Sequence, residues 1–121
     1  MPALALALLL AAAEARTCPK RPGEVAGAPL SIENRSGQSI YNLYAAPKGR
    51  GWGCDRLDDF TIPRGGSRQV ALFHPRGRCD YRLRLILADR SERVRRVDLC
   101  RGGKWVISAE GESFEADPPS P

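Results

Sequence analysis

The chain is 121 residues long, 42% hydrophobic and 27% charged, with a formal net charge of +5, four cysteines and one histidine. That length holds one small domain and little material for a deep catalytic pocket, and a single histidine without a Cys-x-x-Cys pair excludes the usual zinc-ligand sets. The basic balance favours anionic partners and says nothing of fold.

Ala3 to Ala13 is an unbroken run of Ala and Leu, too short to cross a bilayer and suited to the apolar region of a signal peptide. Ala13-Glu14-Ala15 supplies a small-x-small cleavage pattern, so residues 1–15 read as a leader and the mature chain is expected to begin near Arg16. Residues 16–29 are rich in Pro, Gly and charge without an apolar period, and read as an extended arm. Leu30 to Asn34 then forms a strand, ended by the turn residues Asn34-Arg35-Ser36-Gly37-Gln38. Ile40 to Tyr44 is a second strand, stopped by Pro47. Beyond the loop from Gly49 to Asp59, Phe60-Thr61-Ile62 reads as a short strand before the Pro63-Arg64-Gly65-Gly66 turn. Ser67 to Phe73 follows, and His74-Pro75-Arg76-Gly77 turns again.

The clearest element lies between Cys79 and Cys100. Cys79, Tyr81, Leu83, Leu85 and Leu87 alternate with Asp80, Arg82 and Arg84, which gives a strand with one core side and one wet side. Ala88 to Ser91 makes the turn, and the chain returns through Val94, Val97 and Leu99. Val94 and Val97 are three apart where two would keep one face, so the spacing predicts a β-bulge at Arg95-Arg96. Lys104 to Ala109 supplies a last strand around Trp105, with a small return at Ser113-Phe114. Residues 30–115 therefore read as a single all-β domain, a small antiparallel sandwich or barrel of about 6–8 short strands. Residues 116–121 read as a frayed tail.

Four cysteines admit three pairings. Folding the hairpin on its turn brings Cys79 and Cys100 together at its open end, which leaves Cys18 for Cys54 and ties the arm to the Gly49–Asp59 loop. Such bridges persist in an oxidising compartment, in keeping with export.

The stretches SIENRSGQSIYNLYAAP, GWGCDRLDDFTIPRGGSRQV and CDYRLRLILADRSERVRRVDLC together resemble a family of small exported bacterial β-proteins of unknown function. Its pattern runs from an N-x-(S/T)-G turn through a Trp-Gly-x-Asp loop to a cysteine-bounded hairpin of C-x-Y-(D/R)-L-R and V-D-L-C type. The likeness covers about Leu30 to Cys100. It implies a β fold exported to the periplasm or the extracellular space, and it brings no activity. Cys54 stands where that pattern has a polar or acidic residue, and Cys18 lies outside it, as an added staple requires. Asp89-Arg90 replaces Asp-Gly at the hairpin turn, which favours a longer loop over a tight primed turn.

Two surfaces are candidates for function. Asp55, Asp58 and Asp59 could offer oxygen ligands to calcium, but their spacing departs from the EF-hand pattern. Arg50 and Arg56 stand among them, so a disulfide-pinned, salt-bridged loop is the leading reading, with Trp52 as a plug over the core edge. The second surface is basic. Arg82, Arg84, Arg93, Arg95 and Arg96 share the hairpin and could engage phosphates or carboxylates, with Arg64, Arg68, Arg76 and Arg78 beside them. Asp80, Asp89, Glu92 and Asp98 would quench part of that field. Aromatic positions are not interleaved with these arginines, so nucleic acid is not the expected partner.

Catalysis has little to stand on. His74 precedes a proline, no Gly-x-Ser-x-Gly elbow is present, and no cofactor motif is found. The expectation is a non-enzymatic exported module whose basic face, with Trp52, meets an anionic envelope component or an exported protein. A calcium-binding loop domain and an inhibitor of a secreted enzyme are the alternatives.

Overall fold

The structure is a computed structural model that describes residues 18–118. The expected leader at residues 1–15 and the last three residues of the tail lie outside that range. Among the described residues nine strands form, in order β1 (Glu24–Ala26), β2 (Leu30–Arg35), β3 (Ile40–Pro47), β4 (Ser67–Val70), β5 (Phe73–Pro75), β6 (Asp80–Leu87), β7 (Glu92–Asp98), β8 (Gly103–Ser108) and β9 (Glu112–Ala116). No helix forms among the described residues. The fold is all-β and stapled by Cys18–Cys54 and Cys79–Cys100.

The strands make three sheets: a four-stranded one in the order β4-β2-β8-β9, a three-stranded one in the order β3-β6-β7, and a ribbon of β1 with β5. The two larger sheets share one core. Leu30 and Ile32 of β2 and Trp105 and Ile107 of β8 pack in the same apolar cluster as Leu43 of β3 and Leu83, Leu85 and Leu87 of β6. Period-two alternation is the cause, because it turns every second side chain of β2, β6 and β8 inward. At about 25 cal/mol per Å² of buried apolar surface, these aliphatic and indole side chains are the main favourable term in folding.

Four features depart from the sequence-based expectation. The sandwich is not wholly antiparallel, since β2 and β8 run parallel from Leu30↔Gly103 to Arg35↔Ser108. The arm is not merely extended, because its residues 24–26 pair with β5 as Val25 faces His74. Phe60-Thr61-Ile62 is not a strand; only Ile62 bridges, exchanging backbone hydrogen bonds with Ile40 at 2.9 and 3.0 Å. The stretch from Ser67 to Phe73 breaks in two, with β4 and β5 in different sheets, and His74-Pro75 belongs to β5.

The bulge also lies elsewhere. β6 and β7 pair without interruption from Asp80↔Asp98 to Ile86↔Glu92, so Val94 faces outward and stays half exposed. Arg93 and Arg95 hold the inward positions beside Val97. Their stems continue the apolar face while the guanidiniums find partners at its edge: Arg93 Nη2 donates to the Ser108 carbonyl at 3.1 Å, and Arg95 lies 4.6 Å over the Phe114 ring and 3.4 Å from Glu112. The irregular register falls in β3 between Ile40 and Asn42, where Tyr41 is squeezed outward.

The Asn34 turn is held by one buried amide. Asn34 Nδ2 donates to the Gln38 carbonyl (2.6 Å) and the Ile62 carbonyl (3.0 Å), and its Oδ1 accepts from Ser36 N and Oγ. Every polar group of the side chain is thereby satisfied at zero exposure. Between β7 and β8 the chain changes sheets at Gly102, whose φ of +72° and approach to the Pro29 carbonyl leave no room for a Cβ.

Candidate functional site

The 48–66 loop is pinned from three directions. Asp55 Oδ1 accepts from the backbone N–H groups of Leu43 and Leu57, both at 3.0 Å, and Oδ2 accepts from Asn42 Nδ2 at 3.0 Å. Leu57 and Ile62 insert into the core. Cys54 ties the loop to Cys18 of the arm, and Cys18 N donates to Asp58 Oδ1 at 3.1 Å.

The acids of this loop therefore look in different directions. Asp55 is spent on three N–H donors, Asp58 serves the arm, and Asp59 is exposed. Among the described residues, the one group of three potential metal ligands within reach of one another is His74, Cys79 and Cys100, two of which are joined as a disulfide. Arg50 and Arg56 make no ion pair with these acids, so hydrogen bonds to the backbone, not salt bridges, hold the loop.

Trp52 does not plug the core edge. It lies over the outer face of the β3-β6-β7 sheet, with the guanidinium carbons of Arg82 and Arg84 at 4.6 and 5.7 Å from its ring. The register explains the arrangement: Ala46 and Tyr44 of β3 stand opposite Arg82 and Arg84 of β6, and Arg96 of β7 stands opposite Arg82. Arg84 is also 5.8 Å from the Tyr44 ring and is paired with Glu92. Arg96 is paired with Asp80, and that guanidinium holds the Asp80 carboxyl below its ordinary range. Arg82 has no carboxylate partner among the described residues and donates weakly to the Arg50 carbonyl at 3.3 Å.

The five hairpin arginines thus divide. Arg82, Arg84 and Arg96 share the outer face with Trp52, whereas Arg93 and Arg95 turn inward toward β8 and β9. Arg68 belongs to the other sheet, over Phe60 at 4.2 Å.

A concavity also opens where the arm and the 48–66 loop meet the end of the core. Its volume is about 520 Å³, and its wall includes Trp52, Tyr81, Arg21, Arg50, Arg56 and Arg78. Burial pushes the Tyr81 phenol up; Glu24 adds to that, while Arg56 and Arg78 oppose it. Arg21 is a residue that reasoning from sequence passed over. The inferred Cys18–Cys54 pairing was the available signal, because it carries Arg21 to the Arg50–Arg56 loop.

No family model, curated protein or solved structure matches this chain.

Proposed function

We propose that the protein is a non-catalytic binding module of an oxidising, exported compartment that engages an anionic partner through the outer face formed by Trp52, Arg82 and Arg84. The observation that carries this reading is the stacking of Arg82 on Trp52 with no carboxylate partner beside it. A guanidinium over an indole face still presents in-plane donors at its terminal nitrogens to a carboxylate or phosphate, and the one weak contact to the Arg50 carbonyl leaves most of them available. The +5 formal charge supports attraction of such a partner, and two disulfides suit a chain that works outside a reducing cytosol.

Capture from an envelope extract by the oxidised protein, eluted with salt, tests the reading. The partner should leave early in the gradient, because contacts at this exposed face are screened, and R82E/R84E should retain it on the order of tenfold less. Equal retention by that variant would overturn the assignment to this face.

A further inference from the structure

The concavity beside the arm is chemically distinct from the outer arginine face and shares only Trp52 with it. Four arginines, Arg21, Arg50, Arg56 and Arg78, line it against a single acidic residue, Glu24. Glu24 is already committed, since its Oε1 accepts the Arg21 backbone N–H at 2.7 Å and so closes the turn of the arm. None of the four arginines has an ion-pair partner among the described residues. Arg56 is half-buried, so its charge is less screened by water than those of the exposed arginines beside it. Trp52 adds flat apolar surface, Tyr81 closes the inner end from the core, and a volume of about 520 Å³ is that of a small-molecule site.

We propose that this concavity binds a small organic polyanion, two or more carboxylate or phosphate charges on a compact ring-bearing body, and that the Cys18–Cys54 bridge is the clasp that forms it. The charge follows from the excess of arginine over acid, and the ring from the indole of Trp52 on the wall. Bidentate pairing explains why all four cations are arginine, since a planar fork matches either oxyanion. Arg21 lies on the arm, Arg50 and Arg56 lie on the loop, and the bridge is the covalent link between the two, beside a single Cys18 N to Asp58 Oδ1 hydrogen bond. The inference stands independently of the partner proposed for the outer face.

Tryptophan fluorescence reads it directly. The chain has two tryptophans, and Trp105 is fully buried in the core, so a ligand-dependent change reports Trp52 and should vanish in W52F. Phenyl phosphate and phthalate, a ring phosphate and a ring dicarboxylate, separate the two anion sources; benzamide carries the ring without charge, and inorganic phosphate the charge without the ring. Saturable binding of phenyl phosphate or phthalate with a Kd below about 1 mM is expected, weakened at least about tenfold in R56A/R78A and lost in C18S/C54S. R78A alters an exposed side chain only, and keeps the test open if the double variant does not fold; it should weaken binding by at least about threefold. The proposal fails if neither ring anion saturates, if benzamide or inorganic phosphate binds as tightly, or if folded C18S/C54S binds as well as the native protein.

Discussion

The two disulfides close regions of opposite character. Cys79–Cys100 joins the ends of a hairpin whose strands are already paired along their length and whose inner face is core. Cys18–Cys54 joins an arm with three strand residues to a loop held by side-chain hydrogen bonds. One bridge reinforces a geometry the backbone ladder already makes. The other fixes a juxtaposition that is otherwise held by the Cys18 N to Asp58 Oδ1 hydrogen bond and the short β1–β5 pairing, and the candidate ligand wall lies there. Stability and function are thereby separable.

Removing each bridge should break the comparison most visibly. Chain entropy makes a closure of 21 or 36 residues worth about 3–4 kcal/mol. C79S/C100S should lose that amount in denaturant titrations, because the hairpin unfolds only with the core. C18S/C54S should lose less, below about 2 kcal/mol, since the freed arm recovers entropy in the folded state. Its signature should be fast hydrogen exchange at Val25 and Ala26 with core amides still protected. Equal global losses and no local opening would show that the arm is part of the cooperative core.

A second contrast sets Asn34 against Asp55, the side chains that organise the turn beside the core and the loop beside the arm. N34A empties a fully buried site and leaves the Ser36 N–H without its acceptor, while the Ile62 and Gln38 carbonyls each keep one donor, Ile40 N and Ser36 Oγ; it should cost about 2–3 kcal/mol. D55A removes the acceptor of the Leu43 and Leu57 N–H groups, but Asp55 is itself partly exposed and its loss admits water from the loop side, so it should cost about 1–2 kcal/mol. Denaturant midpoints in the reverse order would mean that the loop, not the turn, carries the fold.

The same division governs what the sequence reveals. The β6 strand is legible because Tyr81, Leu83, Leu85 and Leu87 repeat at period two and face inward without exception. Its partner misleads, since Arg93 and Arg95 take core-side positions on an edge strand while Val94 takes the wet side; hydrophobicity marks a face only where a side chain cannot snorkel. The β2–β8 pairing joins residues some seventy positions apart, and no local period encodes a partner so distant. Asp55 illustrates the limit at the candidate site. As a residue in an acidic cluster it suggests cation binding, but its acceptors are consumed by Leu43 and Leu57, whose approach is set by tertiary register.

The smallest expected effect lies on the hairpin side. The turn keeps Arg90 at a φ of +72°, a conformation that disfavours non-glycine residues, and Asp89 compensates by accepting from Ser91 N at 2.9 Å and from Ser91 Oγ. Gln38 closes the cluster from the β2–β3 turn, donating from Nε2 to Asp89 Oδ2 at 2.9 Å and accepting the Asp89 backbone N–H at 2.8 Å. The Ser91 hydroxyl, then Gln38, then the Ser91 amide favour the ionised carboxylate and hold its pKa at about 2, against an ordinary 3.8. A depressed carboxylate contributes stability above its unfolded pKa and loses it as pH falls through the folded value. Unfolding free energy should therefore decline from about pH 4 to about pH 2, with a shallower slope in D89N, where no proton is taken up at this position. Asp80, lowered by Arg96, and Glu33, lowered chiefly by Lys104, continue to titrate in the variant, so the acid limb should shrink without disappearing. An unchanged slope in D89N would show that the turn is held by its backbone hydrogen bonds and the Gln38 Oε1 contact, and that the ionised carboxylate adds nothing to it.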